Sequence, residues 1–257
     1  MFISDLDNTL IYSYKHNIGN DRVNVEVYQG REISFITART YELLKYLSEN
    51  MMFIPNTTRT AEQYQRINLG IGIPHFALVC NGGVLLVDGV EDRSWYRQSL
   101  ELISDAESEM KKAFKLFESD RRRIFELRYI RQLFLFTKCN NPGDVVSELR
   151  NELDMSQVDV FNNGIKVYVL PKSLNKGNAV LRLKDMTGLN DQKIYAAGDS
   201  EFDIPMLKAA DIAIAPYKPL KAFTSVDNLN VMKGEKVYSE EILEFILNNE
   251  NLKSQAI

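Results

Sequence analysis

Several features that mark particular classes of protein are scarce or missing in this sequence of 257 residues. It has only two cysteines, Cys80 and Cys139, and each lies inside an apolar run, which favours buried thiols in a reducing compartment over a disulfide or a metal site. No apolar run approaches the ~20 residues of a membrane span, and no basic segment followed by an apolar stretch opens the chain. The formal net charge of −4 argues against nucleic acid or an anionic membrane as the main partner. We therefore expect a cytoplasmic protein.

What remains is the composition of an ordinary soluble protein, with 45% hydrophobic and 26% charged residues. Short apolar stretches alternate with amphipathic stretches along most of the chain. We predict strands at 2–3, 51–54, 76–80, 194–197 and 212–215, and helices at 38–50, 60–70, 176–187 and 239–249. Strands that alternate with helices predict a parallel sheet with helical crossovers, so the fold class is α/β.

Two stretches depart from this alternation. Residues 23–28 and 33–36 predict a β-hairpin that turns at Gly30. Further on, the order becomes helix, two strands, helix and two strands, at 100–119, 124–128, 133–138, 144–153, 158–161 and 165–170. This order predicts a small α+β unit inserted into a larger domain. We place the inserted unit at residues 89–171 and the core domain at residues 1–88 and 172–257.

Four groups of polar residues stand at the predicted strand ends of the parallel sheet, where open α/β sheets bind their ligands. They are Asp5 with Asp7, Thr57 with Arg59 nearby, Lys176, and Asp199 with Asp203. Together they supply a carboxylate nucleophile, a second carboxyl group, a hydroxyl, a cation and further carboxylates able to hold a hard cation such as Mg²⁺. This set suits phosphoryl transfer, which mainly requires positioning and charge neutralisation.

The same residues form four ordered motifs: Asp5-Leu6-Asp7-Asn8-Thr9, Asn56-Thr57-Thr58-Arg59, Lys176-Gly177 and Gly198-Asp199-Ser200-Glu201-Phe202-Asp203. In this order they resemble the motifs of the haloacid dehalogenase superfamily of Mg²⁺-dependent phosphatases, and the resemblance covers nearly the whole chain. The inserted unit resembles the type C2 cap of the Cof-like and sucrose-phosphatase-like branches. The resemblance implies a Rossmann-like core with an inserted α+β cap domain, Mg²⁺ as cofactor, and a small phosphorylated metabolite such as a sugar phosphate as substrate.

The resemblance also implies a role for each motif residue. Asp5 is the expected nucleophile, which becomes an aspartyl phosphate, and Asp7 is the expected general acid and base. Thr57, Thr58 and Lys176 are expected to bind the phosphoryl group. Four residues are expected to hold Mg²⁺: Asp5, Asp7 through its backbone carbonyl, Asp199 and Asp203.

Two positions differ from the usual family pattern. Thr58 stands where Gly or another small residue is frequent, and Phe202 stands where close relatives carry Asn. Because an apolar ring cannot hydrogen-bond a phosphoryl oxygen, a non-catalytic binding protein of the same fold is one alternative to the phosphatase. A phosphosugar mutase is the other, since phosphomannomutases share the Asp-x-Asp strand and a similar cap. Asp7 argues against the ATPase branch, where Thr usually stands. The sequence decides neither the substrate nor the oligomeric state.

Overall fold

The structure, a computed structural model, describes residues 1–252. These residues form fifteen strands, numbered in chain order: β1 (Phe2–Ser4), β2 (Tyr12–Ser13), β3 (Arg22–Tyr28), β4 (Arg31–Thr37), β5 (Phe53–Pro55), β6 (Phe76–Val79), β7 (Val84–Val87), β8 (Val90–Glu91), β9 (Arg128–Ile130), β10 (Phe134–Lys138), β11 (Val158–Asn163), β12 (Lys166–Pro171), β13 (Tyr195–Ala197), β14 (Ile212–Ala215) and β15 (Leu229–Val231). They also form eight α-helices: α1 (Ala38–Asn50), α2 (Ala61–Tyr64), α3 (Arg93–Leu102), α4 (Glu107–Ser119), α5 (Pro142–Glu152), α6 (Lys176–Thr187), α7 (Ile204–Lys208) and α8 (Tyr238–Asn249).

Internal contacts divide the chain into two units. The first unit comprises Met1–Asp92 and the chain from Lys176 on, and the second comprises Arg93–Asn175. The boundaries expected from the sequence, at residues 89 and 171, each lie four residues before these. The role of the second unit as a cap domain stays a prediction.

The first unit contains a five-stranded sheet in the order β15-β14-β13-β1-β5, and all neighbouring strands are parallel. Ser4, the last residue of β1, lies opposite Ala197 of β13 and Pro55 of β5. Residues such as Ile3 and Ile54 are fully buried, as expected for a parallel sheet covered on both faces. The predicted α/β fold is confirmed. The register brings the residues that follow β1, β5 and β13 to one edge of the sheet.

In the first unit, α1, α6 and α8 agree with the predicted pattern, α2 is shorter than predicted, and α7 was not predicted. Thr37 caps α1, and its Oγ1 accepts a hydrogen bond from the backbone N–H of Thr40 at 3.0 Å. The prediction of a helix from residue 60 to Gly70 is wrong, because α2 ends at Tyr64. Beyond it the chain turns to the edge of β3, where the N–H of Asn68 donates to the carbonyl of Val25 at 2.8 Å. The structure also contains β15, which was not predicted because its three residues are not buried and Asn230 interrupts the apolar run.

The predicted hairpin is present as β3 and β4, which pair antiparallel and are called the flap hairpin below. Its register shifts between Asn24 and Glu26 and again between Glu26 and Val27, as a β-bulge does. The bulge interrupts the alternation of inward and outward side chains. Val25 and Glu26 are consequently both buried, with exposed fractions of 2% and 1%.

The second unit contains an antiparallel sheet in the order β11-β12-β10-β9. Apolar residues of α4, α5 and the sheet form one core: Met110, Ala113, Phe117, Val145, Leu149, Val158, Val160, Val167 and Val169. The single helix predicted at 100–119 is wrong. The chain forms α3 and α4 with a 3₁₀ turn at Ser104–Ala106 between them. This turn lets α3 bury Trp95 while α4 buries Met110 and Phe117.

Two smaller expectations concern the second unit and the cysteines. The strand predicted at 124–128 begins only at Arg128, and before it the carbonyl of Phe125 accepts a hydrogen bond from the Thr137 side chain at 2.9 Å. Cys80 and Cys139 are both buried, and residues 1–252 contain no disulfide, as predicted. None of the helices in that range is both long and apolar enough to cross a lipid bilayer.

Candidate active site

Asp5 is the first residue after β1 and lies at the sheet edge between the ends of β5 and β13. Its backbone N–H donates to the carbonyl of Ala197 at 3.0 Å, and the N–H of Asn56 donates to the carbonyl of Ser4 at 2.8 Å. These bonds hold Asp5 between the ends of β5 and β13. The residue is only 6% exposed, so its carboxylate is almost fully removed from water.

Three carboxylates meet one ammonium group beside Asp5. One oxygen each of Asp5, Asp199 and Asp203 lies within 4.8 Å of the others. Lys176, the fully buried first residue of α6, donates from Nζ to Asp5 Oδ1 at 2.5 Å and to Asp203 Oδ1 at 2.6 Å. Three negative groups and one positive group leave this acidic cluster with a formal charge of −2. Such an excess of buried charge fits a cation in this place.

Both carboxylate oxygens of Asp203 are occupied by hydrogen bonds. Its Oδ2 accepts from the N–H of Asp199 at 3.0 Å, from the N–H of Ser200 at 2.9 Å and from Ser200 Oγ at 2.8 Å. Its Oδ1 accepts from Lys176. These four hydrogen bonds fix the loop after β13 and leave Asp5 and Asp199 as the better oxygen donors for an ion. Phe202 lies in the same turn and is buried.

The crowding changes how the acidic groups bind protons. Burial raises the pKa of Asp5 well above its ordinary value, Lys176 opposes this rise, and the charges of Asp203 and Asp199 add to it. Burial and the charge of Asp203 also raise the pKa of Asp199 to about 7. Burial by itself lowers the pKa of Lys176, but the two carboxylates outweigh it, so its pKa is raised and it stays charged.

Asp7 lies outside the acidic cluster and forms an ion pair. Arg59 donates from Nε to Asp7 Oδ2 and from Nη2 to Asp7 Oδ1, each at 2.7 Å. The Asp7 side chain is 48% exposed, whereas that of Arg59 is 13% exposed. In the structure, Arg59 binds carboxylates of the protein itself.

The two threonines of the second motif lie at the same sheet edge, after β5. Thr57 is fully buried, and its Oγ1 accepts a hydrogen bond from the N–H of Arg59 at 3.2 Å. Thr58 is partly exposed. The structure thus joins four of the predicted residues by direct contact or close approach, Asp5, Lys176, Asp199 and Asp203. It places Asp7, Thr57 and Thr58 on adjoining segments.

Two residues that contact the site have no role among the expectations from the sequence. Thr9 Oγ1 lies 3.5 Å from Asp5 Oδ2 and 3.4 Å from Asp199 Oδ1, at the long limit for a hydrogen bond. Its place in the first motif was an available signal. Glu26 accepts a hydrogen bond from Arg59 Nη1 at 2.8 Å. No sequence signal pointed to Glu26, because the β-bulge alone turns it inward.

Comparisons with known proteins agree with this arrangement. Residues 89–216 match a family model described as haloacid dehalogenase-like hydrolase. The chain is 30% identical over 173 residues to phosphoglycolate phosphatase 2 of Saccharolobus solfataricus, a match that covers 63% of this chain and 71% of that protein. It is 27% identical over 137 residues to the phosphoglycolate phosphatase of Methanopyrus kandleri, covering 53% of this chain and only 56% of that relative.

A solved structure extends the comparison to nearly the whole chain. The sucrose-phosphatase of Synechocystis sp. PCC6803, determined in complex with sucrose and phosphate, aligns with a TM-score of 0.68 over 97% of both chains. The sequence identity is 18%, so this similarity shows the fold.

Proposed function

The chain belongs to the haloacid dehalogenase-like hydrolases, and on this basis we propose that it is a Mg²⁺-dependent phosphatase of a small cytoplasmic phosphomonoester, with Asp5 as the nucleophile. The observation that carries the proposal is the buried Lys176 ammonium shared by Asp5 and Asp203, with Asp199 beside them. A carboxylate held by a fixed cation at a sheet edge has the position and the electrostatic support that attack on a phosphoryl group requires.

The donor set of the acidic cluster fits Mg²⁺, which prefers oxygen ligands. The carboxylates of Asp5 and Asp199 would hold the ion together with the backbone carbonyl of Asp7, while Asp203 would fix the loop and Lys176. When bound, Mg²⁺ supplies neutralisation of the charge on the phosphoryl oxygens. It would also lower the pKa of both carboxylates, which burial and the neighbouring negative charges raise.

In the first step, a carboxylate oxygen of Asp5 attacks phosphorus and the bond from phosphorus to the ester oxygen breaks. Asp7, which has to enter this step in its protonated form, gives its proton to the departing oxygen, so the product leaves as an alcohol. Lys176, Thr57 and Thr58 bind the phosphoryl oxygens in this proposal. The result is a phosphoryl group on Asp5 and an ionised Asp7.

In the second step, Asp7 takes a proton from a water molecule whose oxygen attacks the same phosphorus. The bond between phosphorus and Asp5 breaks, which releases inorganic phosphate and restores the Asp5 carboxylate. Asp7 therefore acts as the acid in the first step and, once it has lost its proton, as the base in the second step.

The relatives narrow the substrates to be tried first. Two of them are named phosphoglycolate phosphatase, and the structural neighbour is named sucrose-phosphatase. We propose a small phosphomonoester of this kind, a sugar phosphate or a phosphorylated carboxylic acid. A panel should therefore contain 2-phosphoglycolate, several hexose phosphates, a sucrose phosphate and 4-nitrophenyl phosphate.

The test is phosphate release from this panel, with Mg²⁺ and with EDTA. We expect release that depends on Mg²⁺ and that falls by at least about a thousandfold in Asp5→Asn, because the nucleophile is removed. Asp88→Asn is the matched control, since it removes the charge of an Asp whose side chain is 70% exposed and which pairs with His75. Turnover retained by Asp5→Asn would contradict the mechanism. Isomerisation of a hexose phosphate without phosphate release would favour the mutase.

A further inference from the structure

Glu26 is a buried charged residue that the proposed mechanism does not use. It lies on β3 in the flap hairpin, and its side chain is 0% exposed. Carboxylates are rarely buried to this degree unless they are paired, because the loss of hydration is large. The hydrogen-bond donors around the Glu26 carboxylate therefore indicate the role of this residue.

Every partner of Glu26 is a donor on a nearby segment of the first unit. Oε2 accepts from Ser34 Oγ at 2.6 Å and from Arg59 Nη1 at 2.8 Å. Oε1 accepts from Arg66 Nε at 3.2 Å and from Arg66 Nη2 at 3.1 Å. Both oxygens are occupied, so Glu26 fixes one end of the Arg59 guanidinium in place.

The other end of Arg59 holds Asp7. The guanidinium is planar and presents its N–H groups in a rigid fork, so anchoring Nη1 also fixes the directions of Nε and Nη2. Those two nitrogens contact both oxygens of Asp7 at 2.7 Å. Arg59, which is mostly buried, therefore links the half-exposed carboxylate of Asp7 to the fully buried carboxylate of Glu26 in the flap hairpin.

We propose that Glu26, acting through Arg59, positions Asp7 for proton transfer to the leaving group. The inference rests on the proposed function, because it assigns Asp7 the role of general acid. Glu26 is a positioning residue, since it contacts Arg59 and not the reacting atoms. Without this support, the exposed Asp7 side chain would rotate freely, and a displacement of about 1 Å at a catalytic group lowers rates by about 100-fold.

The test compares two substrates that differ in their need for an acid. An alkyl phosphate has a poor leaving group and needs the proton from Asp7, whereas 4-nitrophenyl phosphate has a leaving group that departs without it. We expect Arg59→Met and Arg59→Lys to lower kcat on the alkyl phosphate about 100-fold and on 4-nitrophenyl phosphate less than about threefold. Glu26→Gln, which keeps the shape of the side chain, should show the same selective loss at about tenfold.

Arg66→Met is the matched control, because Arg66 contacts the same buried carboxylate and does not contact Asp7 in the hydrogen bonds described above. We expect its ratio of the two kcat values to stay at that of the unmodified protein. Equal losses on both substrates in the Arg59 and Glu26 variants would overturn the proposal in favour of a structural role. Faster turnover of the alkyl phosphate would also overturn it, since Arg59 would then restrain Asp7 in an inactive position.

A second measurement needs no turnover and separates failure of this inference from failure of the proposed function. Asp7→Asn, Glu26→Gln and the double variant are compared by their midpoints of thermal unfolding. Because Glu26 holds Arg59 in place for Asp7, the loss of Glu26 already weakens the contact between Arg59 and Asp7, and the double variant should lose less than the sum of the single losses. In an Arg59→Met background this difference should disappear. Additive losses in the presence of Arg59 would overturn the coupling, even if phosphatase activity is found.

Discussion

Addition of Mg²⁺ to the metal-free protein should stabilise it strongly above neutral pH and weakly below. The acidic cluster contains Asp5, Asp199 and Asp203 with one balancing ammonium, that of Lys176. Without a cation, the raised pKa of Asp199, about 7 against an ordinary 3.8, means that the folded protein binds a proton that the unfolded chain releases. The stability that this proton provides is complete below pH 3.8 and is lost as the pH rises through about 7.

The same pKa gives the size of the loss in stability as the pH rises. Each pKa unit corresponds to about 1.4 kcal/mol, so the loss between acid and neutral pH is a few kcal/mol. A cation at about 100 times its dissociation constant adds about 2.7 kcal/mol of stability. For a chain of this length that corresponds to a rise in the midpoint of thermal unfolding of roughly 5–10 °C. At about pH 5.5 protons compete for the same oxygens, and the rise should shrink to a few degrees.

The assay is thermal unfolding in EDTA and in Mg²⁺, at about pH 5.5 and about pH 8, for the unmodified protein and Asp199→Asn. In EDTA at the higher pH, Asp199→Asn should be at least as stable as the unmodified protein, because one of the crowded charges is gone. Its response to Mg²⁺ should be much smaller, because the ion loses a ligand. An equal rise in the unfolding midpoint with Mg²⁺ at both pH values, or an undiminished rise in Asp199→Asn, would refute the placement of the ion at Asp199.

Two further predictions concern the packing around Lys176. Lys176→Met leaves its two carboxylate partners buried without a cation. We therefore expect a loss of about 3–5 kcal/mol in unfolding free energy in EDTA, measured by denaturant titration, and a fall of at least about 100-fold in kcat, measured by steady-state kinetics. Unchanged values would show that Lys176 is dispensable. Gly177→Ala would bring a Cβ within 2.3 Å of the carbonyl oxygen of Pro205, so it should destabilise the protein by about 1–3 kcal/mol. Gly143→Ala, also at the second position of a helix but with nothing within 4 Å of the new Cβ, should be neutral or slightly stabilising, and equal losses in the two variants would contradict the argument.

The sequence predicted the sheet and its edge because those depend on local patterns. Strands β1, β5 and β13 are short apolar runs followed within two residues by polar side chains, and a parallel sheet brings their ends together whatever the intervening chain does. Asp5 and Asp199 could therefore be placed in one site before the structure was known, whereas Lys176, which opens α6, was assigned to it by the motif resemblance. The contacts of Asp203 with its own loop and with Lys176 agree with its place in the fourth motif.

What the sequence did not provide depends on contacts between distant segments. The early end of α2 follows from pairing of the next residues with β3, and the break between α3 and α4 follows from two different buried faces. Glu26 is the clearest case. Alternation in β3 assigns it to the polar face, and only the bulge turns it inward to meet Arg59 and Arg66. Pairing of Asp7 with Arg59 likewise joins two motifs that sequence spacing does not connect.

The central claim is that Asp5 carries the phosphoryl group, and one measurement tests it most directly. Asp7→Asn should still be phosphorylated by 4-nitrophenyl phosphate, whose leaving group needs no acid, but should lose its phosphoryl group slowly because the base for water is missing. We would quench this variant in acid during turnover and determine the mass of the peptide that contains Asp5. The mechanism predicts one phosphoryl group on Asp5. Continued phosphate release with no phosphoryl group on Asp5 would contradict it.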